Sequence, residues 1–433
     1  MIMDQLRIKE YTNPKPRIIV PHDIYRYNTV IRKIKNGPYS TTCECLSHYQ
    51  RTDTIYISSA LMQQLHLQNN HHYSMRFIGD TCVITYTLGI FIANSRQLHR
   101  SAHQLKEIVQ VGEKYGFITY VFGYKDVDLS KQKIQAYQYY KQQWLTTNVD
   151  IPFVIYNRIP NRKLEAHHQI KKIKQGLQST SIIFNHDFFN KWQVYEYLFQ
   201  DNESRHLLPQ AIFQPSEQSV KDWLNSTSIY LKPLQKYRGE ESYLIVKRKE
   251  QFILIQTDAP PNSKEMYFPS FDLLKTRRFP KGFQHYVMEE AHALFTYHDS
   301  EIIFRVNSNK NENNKWVTTL IAAYQVRHSN RSNLVPLSNL FTEKEEEAFQ
   351  IKIAKMAVTL SKILENRLDK NLGELAFDVA IDKEKRTWLL DVYSRPSWRI
   401  LDHGTLYPFA LDMIEHLFRY SFYLHNQKRM NLS

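Results

Sequence analysis

The chain has 433 residues, of which 42% are hydrophobic and 23% charged. That is enough apolar material for roughly two to four cored domains and rules out a wholly disordered chain. Only 11 glycines occur, where average usage near 7% would give about 30, which excludes collagen-like and Gly-rich linker architectures. The net charge of +14 is uneven: residues 1–186 hold 24 Lys+Arg against 12 Asp+Glu, and residues 187–433 hold 33 against 31.

Residues 1–86 read as a small, basic, β-rich domain. IIVPHDI (18–24), TIYISSAL (54–61) and CVITYTL (82–88) are β-branched and aromatic runs, and Asn36-Gly37-Pro38 signals a turn. Residues 87–186 change character. LGIFIAN (88–94), GFITYVFG (116–123) and IPFVIYNR (151–158) are continuous apolar runs of the kind found in buried parallel strands, with helices expected over 100–115 and 130–146. Strand–helix alternation with short links predicts βαβ units. From 187 to 433 the order is mixed, α+β in character. SYLIVKRKE (242–250) and QFILIQT (251–257) make a hairpin. Strands are expected at HYVMEEA (285–291), SEIIFRVNSNK (300–310) and KWVTTLIAAYQV (315–326). Thr342 and Glu345 form a capping box that opens a long helix with Phe349, Ile353, Met356, Leu360, Ile363 and Leu364 on one face. LAFDVAID (375–382), RTWLLDVYS (386–394) and a C-terminal helix close the chain.

Cys43, Cys45 and Cys82 are too few for a disulfide framework, and Cys43-x-Cys45 lacks the second ligand pair of a structural zinc site. The N-terminus has no apolar signal core and no stretch approaches 18 apolar residues, so an intracellular location without a membrane span is expected. The basic front half, with Lys163, Lys171, Lys172 and Lys174, suits a polyanionic partner or a merely solubilising surface.

Four features recur in a fixed order. Lys191 opens a helix, Lys232 follows a strand, Glu289 and Glu290 end a strand, and Asp378 and Asp391 lie on the two closing strands. Lysines neutralise phosphates as point charges, and two carboxylates on neighbouring strands are suited to Mg²⁺, which bridges phosphates. With VIYNRIPNRKLE (154–165), IIFNHDFFNKWQVYEYL (182–198), IYLKPL (229–234), FRVNSNK (304–310), GELAFDVAID (373–382) and WLLDVYSRP (388–396), this arrangement resembles the ATP-grasp superfamily, and within it the endospore coat-associated YheC/YheD-like proteins. The resemblance implies an α/β ATP-grasp fold over 187–433, in two subdomains, preceded by a pre-ATP-grasp domain over 87–186. It implies ATP and Mg²⁺ as cofactors. The chemistry would be phosphorylation of a carboxylate that an amine or thiol then attacks. By position Lys191 and Lys232 would hold ATP, Glu289 or Glu290 would sit at the adenine hinge, Asp378 and Asp391 would ligate Mg²⁺, and Arg305 would face the phosphate or the acyl phosphate.

The chain departs from that pattern. The loop LQKYRGEESYL holds only Gly239, where the family has a glycine loop that lets backbone N–H groups reach phosphates. Ile303 stands where an acid precedes the arginine, and Val335 and Pro336 replace a glycine pair. The closing Glu-x-Asn is Asp391-Val392-Tyr393. Tyrosine is no substitute for a compact amide oxygen on Mg²⁺, and each lost transition-state contact costs about 3 kcal/mol, roughly two orders of magnitude in rate. Three readings follow. One is a sporulation protein of the mother cell and spore coat, with a degenerate nucleotide and Mg²⁺ site, binding coat proteins or an acidic polymer through its basic front half. The second is an active ATP-dependent carboxylate–amine or carboxylate–thiol ligase. The third is a polyanion binder, with nucleic acid disfavoured because no DNA- or RNA-binding motif is present.

Overall fold

A computed structural model describes residues 2–27, 31–234, 241–257, 265–327 and 330–430. The chain forms two compact units. The first comprises Met1–His186, Lys310–Lys315 and Ser397–Ser433, and the second Asp187–Asn309 and Trp316–Pro396.

The first unit is built on one sheet. Its front strands are β1 (Ile2–Tyr11), β2 (Arg17–Pro21), β3 (Lys33–Asn36), β4 (Tyr39–Thr42), β5 (Glu44–His48), β6 (Thr54–Ser58) and β7 (His72–Ile78). β8 (Thr81–Ile92) is followed by β9 (Phe117–Gly123), β10 (Val127–Asp128), β11 (Lys133–Tyr140), β12 (Gln143–Asp150), β13 (Val154–Asn157) and β14 (Ile182–Phe184). Among the described residues, six helices lie between these strands in sequence: α1 (His22–Tyr27), α2 (Ser59–Gln64), α3 (Ser95–Arg100), α4 (Ala102–Lys114), α5 (Arg162–Glu165) and α6 (His168–Gln178). β8 changes partners midway. Thr81–Thr85 pairs antiparallel with β7, and Tyr86–Ile92 pairs parallel with β9. β13 lies parallel between β8 and β14 and is buried at every residue, which is why its VIYN run shows no alternation of apolar with exposed polar residues. The Asn36-Gly37-Pro38 turn joins β3 to β4. Gly37 has φ +55°, and a Cβ there would lie 2.3 Å from the Phe422 ring, so both conformation and space demand glycine.

Two expectations fail in this unit. The segment 130–146 is not a helix but the start and most of the β11–β12 hairpin, paired from Lys133↔Asp150 to Tyr140↔Gln143. Its buried residues, Ile134 and Ala136, alternate with exposed ones at the two-residue period of a strand. Lys141 and Gln142 both take positive φ at the turn without an Asn-Gly signal, so the hairpin is disguised. Lys174 does not belong to the basic surface: it is 3% exposed inside α6.

The second unit contains two six-stranded sheets among its described residues. The first holds β15 (Ala211–Phe213), β16 (Ile229–Pro233), β17 (Tyr243–Arg248), β18 (Gln251–Gln256), β19 (Met266–Phe268) and β20 (Tyr286–Glu290), in the order β15-β20-β16-β17-β18-β19. The second holds β21 (Thr296–Tyr297), β22 (Ser300–Lys310), β23 (Trp316–Arg327), β24 (Asn330–Val335), β25 (Glu374–Ile381) and β26 (Thr387–Tyr393), with β24-β23-β22-β25-β26 in a row and β21 on β22. Helix α7 (Lys191–Phe199) precedes them. α8 (Glu217–Ser226) and α9 (Phe271–Arg278) cover the first sheet through Val220, Leu224 and Leu274, and α10 (Glu343–Leu368) covers the second. The expected capping box opens α10, with Glu345 accepting from the Thr342 backbone N–H and hydroxyl, a motif worth about 1 kcal/mol. Phe349, Ile353, Leu360 and Leu364 bury against Phe304, Val306, Phe377 and Val379, while Met356 and Ile363 flank that core. The chain ends in α11 (Tyr407–Met430), whose Leu417, Phe418 and Phe422 complete the first unit's core. None of the described helices is long and apolar enough to cross a membrane.

Candidate functional site

The second unit holds a cleft lined by Phe189, Lys191, Val194, Tyr195, Leu198, Leu208, Pro209, Lys232, Glu289 and the β26 segment 389–392, with about 510 Å³ of space when its open mouth is included. The lining is mostly apolar with a few converging charges, the composition typical of small-molecule sites.

Local structure explains how each side chain arrives there. Lys191 is the first residue of α7 because the Asn190 side chain accepts from the backbone N–H groups of Trp192 and Gln193, capping the helix just before it. Lys232 on β16 and Glu289 on β20 share one sheet face, since Tyr230 pairs with Glu289 and Lys232 with Val287. This diagonal lets Lys232 Nζ donate to Glu289 Oε2 at 2.6 Å. A second bond, 3.0 Å, runs from Lys232 Nζ to the Leu390 carbonyl. Leu390 is the extra residue of a β-bulge: Asp378 pairs with Asp391 and Val379 with Leu389, leaving Leu390 outside the ladder with a carbonyl to offer.

The acids form a row across three strands. Arg305 on β22 stands opposite Asp378 on β25, which stands opposite Asp391 on β26. Arg305 grips Asp378 with Nε to Oδ1 at 2.6 Å and Nη2 to Oδ2 at 3.2 Å. The Tyr393 hydroxyl donates to Asp378 Oδ2 at 3.0 Å, and the Arg305 guanidinium lies 4.5 Å from the centre of the Tyr393 ring. Asp391 Oδ2 accepts from Lys191 Nζ at 2.6 Å, and its Oδ1 accepts from the Val392 backbone N–H at 2.9 Å. The row therefore reads cation, acid, acid, cation.

Electrostatics follow from this packing. Burial alone would raise the Asp391 carboxyl, but Lys191, Lys232 and the hydrogen bonds from Lys191 and Val392 outweigh it and hold the group at about 2. Burial opposes charge on Lys232 too, yet Glu289, Asp391 and Asp378 together raise its affinity for the proton above the ordinary lysine value. Burial, with the charge of Glu289 added, pushes the Tyr195 hydroxyl up to about 12, so it stays protonated as it donates to the Pro209 carbonyl at 3.0 Å.

Lys191, Lys232, Glu289 and Asp391 thus meet in one cleft, with Asp378 and Arg305 one and two strands away along the same row. Glu290 is not part of the cleft lining. As the neighbour of Glu289 on a strand it faces the other way, and its charge acts on His292 and Arg386. The loop of Gly239 lies outside the described residues, as do the side chains of Ser332 and Asn333. Two participants have little or no signal in the sequence: the Leu390 carbonyl, exposed by a bulge, and Tyr195, whose place on the wall depends on how α7 is turned. Among the described residues no group of three or more His, Cys, Asp or Glu side chains is placed to hold a metal ion. Burial raises all three thiols, Cys43 to about 12 and Cys45 to about 11, so none is a ready nucleophile.

Two sheets and a lysine-bearing cleft, followed by paired acids on the closing strands, are the architecture of an ATP-grasp protein. The chain belongs to the YheC/D like ATP-grasp family, whose family model matches residues 181–424, more than half of its length. It is 25% identical over 404 residues to the endospore coat-associated protein YheD of Bacillus subtilis (strain 168), covering 88% of each chain. Similar solved structures include the VanG D-Ala:D-Ser ligase of Enterococcus faecalis, with a TM-score of 0.46 at 10% identity over 77% of this chain and 99% of that one. The D-alanine-D-alanine ligase of Coxiella burnetii has a TM-score of 0.43 at 8% identity over 80% and 99%.

Proposed function

We propose that this chain is a spore coat-associated binding protein that keeps the nucleotide pocket of its fold and has given up the metal-dependent chemistry. Its relation to an endospore coat-associated protein supports the setting. The observation that carries the functional part is the closure of the acid row. Arg305 and Tyr393 engage both oxygens of Asp378, and Lys191 holds Asp391. Mg²⁺ requires several hard oxygens in near-octahedral order. These two acids, each already matched with a fixed cation and with a tyrosine where an amide oxygen is expected, do not fit it. The pocket itself fits a nucleotide: Val194, Leu389 and Val392 give apolar walls for a base, and Lys191 and Lys232 give ammonium groups for phosphates.

The basic front half supports the partner reading. On β1, β2 and β7 the residues Leu6, Ile8, Ile18, Val20, Tyr73 and Met75 point to the core, which leaves Arg7, Lys9, Arg17 and Arg76 on the other face. Glu44 pairs with Arg17 there. An acidic coat protein or polymer suits that face. The change of partners along β8 after Thr85 supports a division near 86, and the break after His186 supports one at 187, although Lys310–Lys315 and Ser397–Ser433 belong to the first unit.

Calorimetric titration of the full chain with ATP tests the pocket, with Lys232→Ala as the control that abolishes the heat. Release of ADP that depends on both an added carboxylic acid and an added amine would replace this reading with that of an active ligase.

A further inference from the structure

The two carboxylates that the family's pattern assigns to a divalent metal carry a total charge of −2, and the protein already supplies +2 beside them. Arg305 lies on Asp378 at 2.6 Å and Lys191 on Asp391 at 2.6 Å. The Arg305–Asp378 end is closed: the side chains are 18% and 3% exposed, the tyrosine hydroxyl takes the second oxygen, and its ring packs against the guanidinium. The Lys191 end is open, with that side chain 34% exposed at the cleft. An ammonium has three protons to donate. Lys191 gives one to Asp391, and Lys232 gives two, to Glu289 and to the Leu390 carbonyl. Three N–H donors of fixed positive groups therefore remain for a ligand in the cleft.

We propose that this cleft binds a nucleoside polyphosphate as the metal-free anion, with Arg305 and Lys191 standing permanently where a divalent cation would otherwise neutralise the acid row. The inference rests on the nucleotide reading given above and adds the charge state of the ligand. Nothing in the cleft then requires Mg²⁺ to screen Asp378 and Asp391 from the phosphates, and Lys191 and Lys232 meet phosphate oxygens directly.

The test uses the full chain and ADP, titrated once with excess EDTA and once with excess MgCl₂. Affinities equal within about twofold are expected; binding at least about tenfold tighter with Mg²⁺ overturns the inference and leaves the nucleotide reading intact. An absence of heat in both buffers sinks the nucleotide reading and this inference with it. Mn²⁺ alone, followed by its electron paramagnetic resonance signal, gives a second measurement. The natural chain is expected to bind none below about 1 mM, whereas Arg305→Gln combined with Tyr393→Asn, which uncovers Asp378, is expected to bring binding into that range. Tight Mn²⁺ binding by the natural chain, or none by a folded double variant, argues against the clamp as the element that excludes the metal.

Discussion

A similar three-part knot is found in each unit. In the first, Lys174 Nζ donates to Glu165 Oε1 at 3.0 Å and to the His186 carbonyl at 2.5 Å. In the second, Lys232 Nζ donates to Glu289 Oε2 at 2.6 Å and to the Leu390 carbonyl at 3.0 Å. Their surroundings separate them. Asn157 also donates to both Glu165 and the His186 carbonyl, and the Lys174 side chain is 4% exposed, so this knot is a pin fastening β13, α5 and α6 around IYNRIPNRKLE. The Lys232 side chain is 21% exposed and borders a cleft. An ammonium, a carboxylate and a carbonyl do not make a functional site by themselves; the side left open to a ligand does.

This contrast predicts a graded series of effects. Lys174→Met leaves Glu165 buried without its cation and is expected to cost about 3–5 kcal/mol in urea unfolding, with Glu165→Leu in the same chain recovering much of the loss. A cost under about 1 kcal/mol would mean that the pin is not one. Asp391 comes next. Its carboxyl is depressed from 3.8 to about 2, so its contribution is present above the unfolded-state value and is lost as pH falls through the folded one. Asp391→Asn should therefore be less stable than the natural chain by about 2 kcal/mol at pH 6, and the two acid-unfolding curves should converge between pH ~4 and ~2. Lys232→Ala, in the open knot, should cost only about 1–2 kcal/mol of stability while weakening ADP at least about tenfold. If stability falls as far as for Lys174→Met, the distinction between pin and site fails. Lys171→Ala, on the exposed side of α6, should change stability by no more than about 0.5 kcal/mol and act only on salt-sensitive binding to an acidic partner.

The legibility of the site varied with the range of the interaction. The helix start at Lys191, the strand carrying Lys232 and the closing strands of Asp378 and Asp391 follow from caps and apolar periods within about ten residues. Glu289 and Glu290 were indistinguishable in the sequence, because adjacent strand residues face opposite ways and only the register with β16 says which one meets Lys232. The β11–β12 hairpin resembles a helix in the sequence because its turn, Lys141-Gln142, lacks the residues that usually announce one. The burial of Lys174 was hidden for a related reason: its partners come from β13, α5 and the residue after β14, and a lone lysine in a helix gives no sign of them.

The linear order of residues was sufficient to establish the uneven charge, the apolar strands, the capped long helix and a set of lysines and acids whose order resembles one family. Pairing was decided elsewhere. Lys191 and Asp391 are 200 positions apart, and their contact depends on how α7 is capped and on where β26 bulges. Whether an acid faces a metal, a substrate or an arginine is set by strand register and by the neighbours that burial brings within about 3 Å, and those are properties of the packed chain.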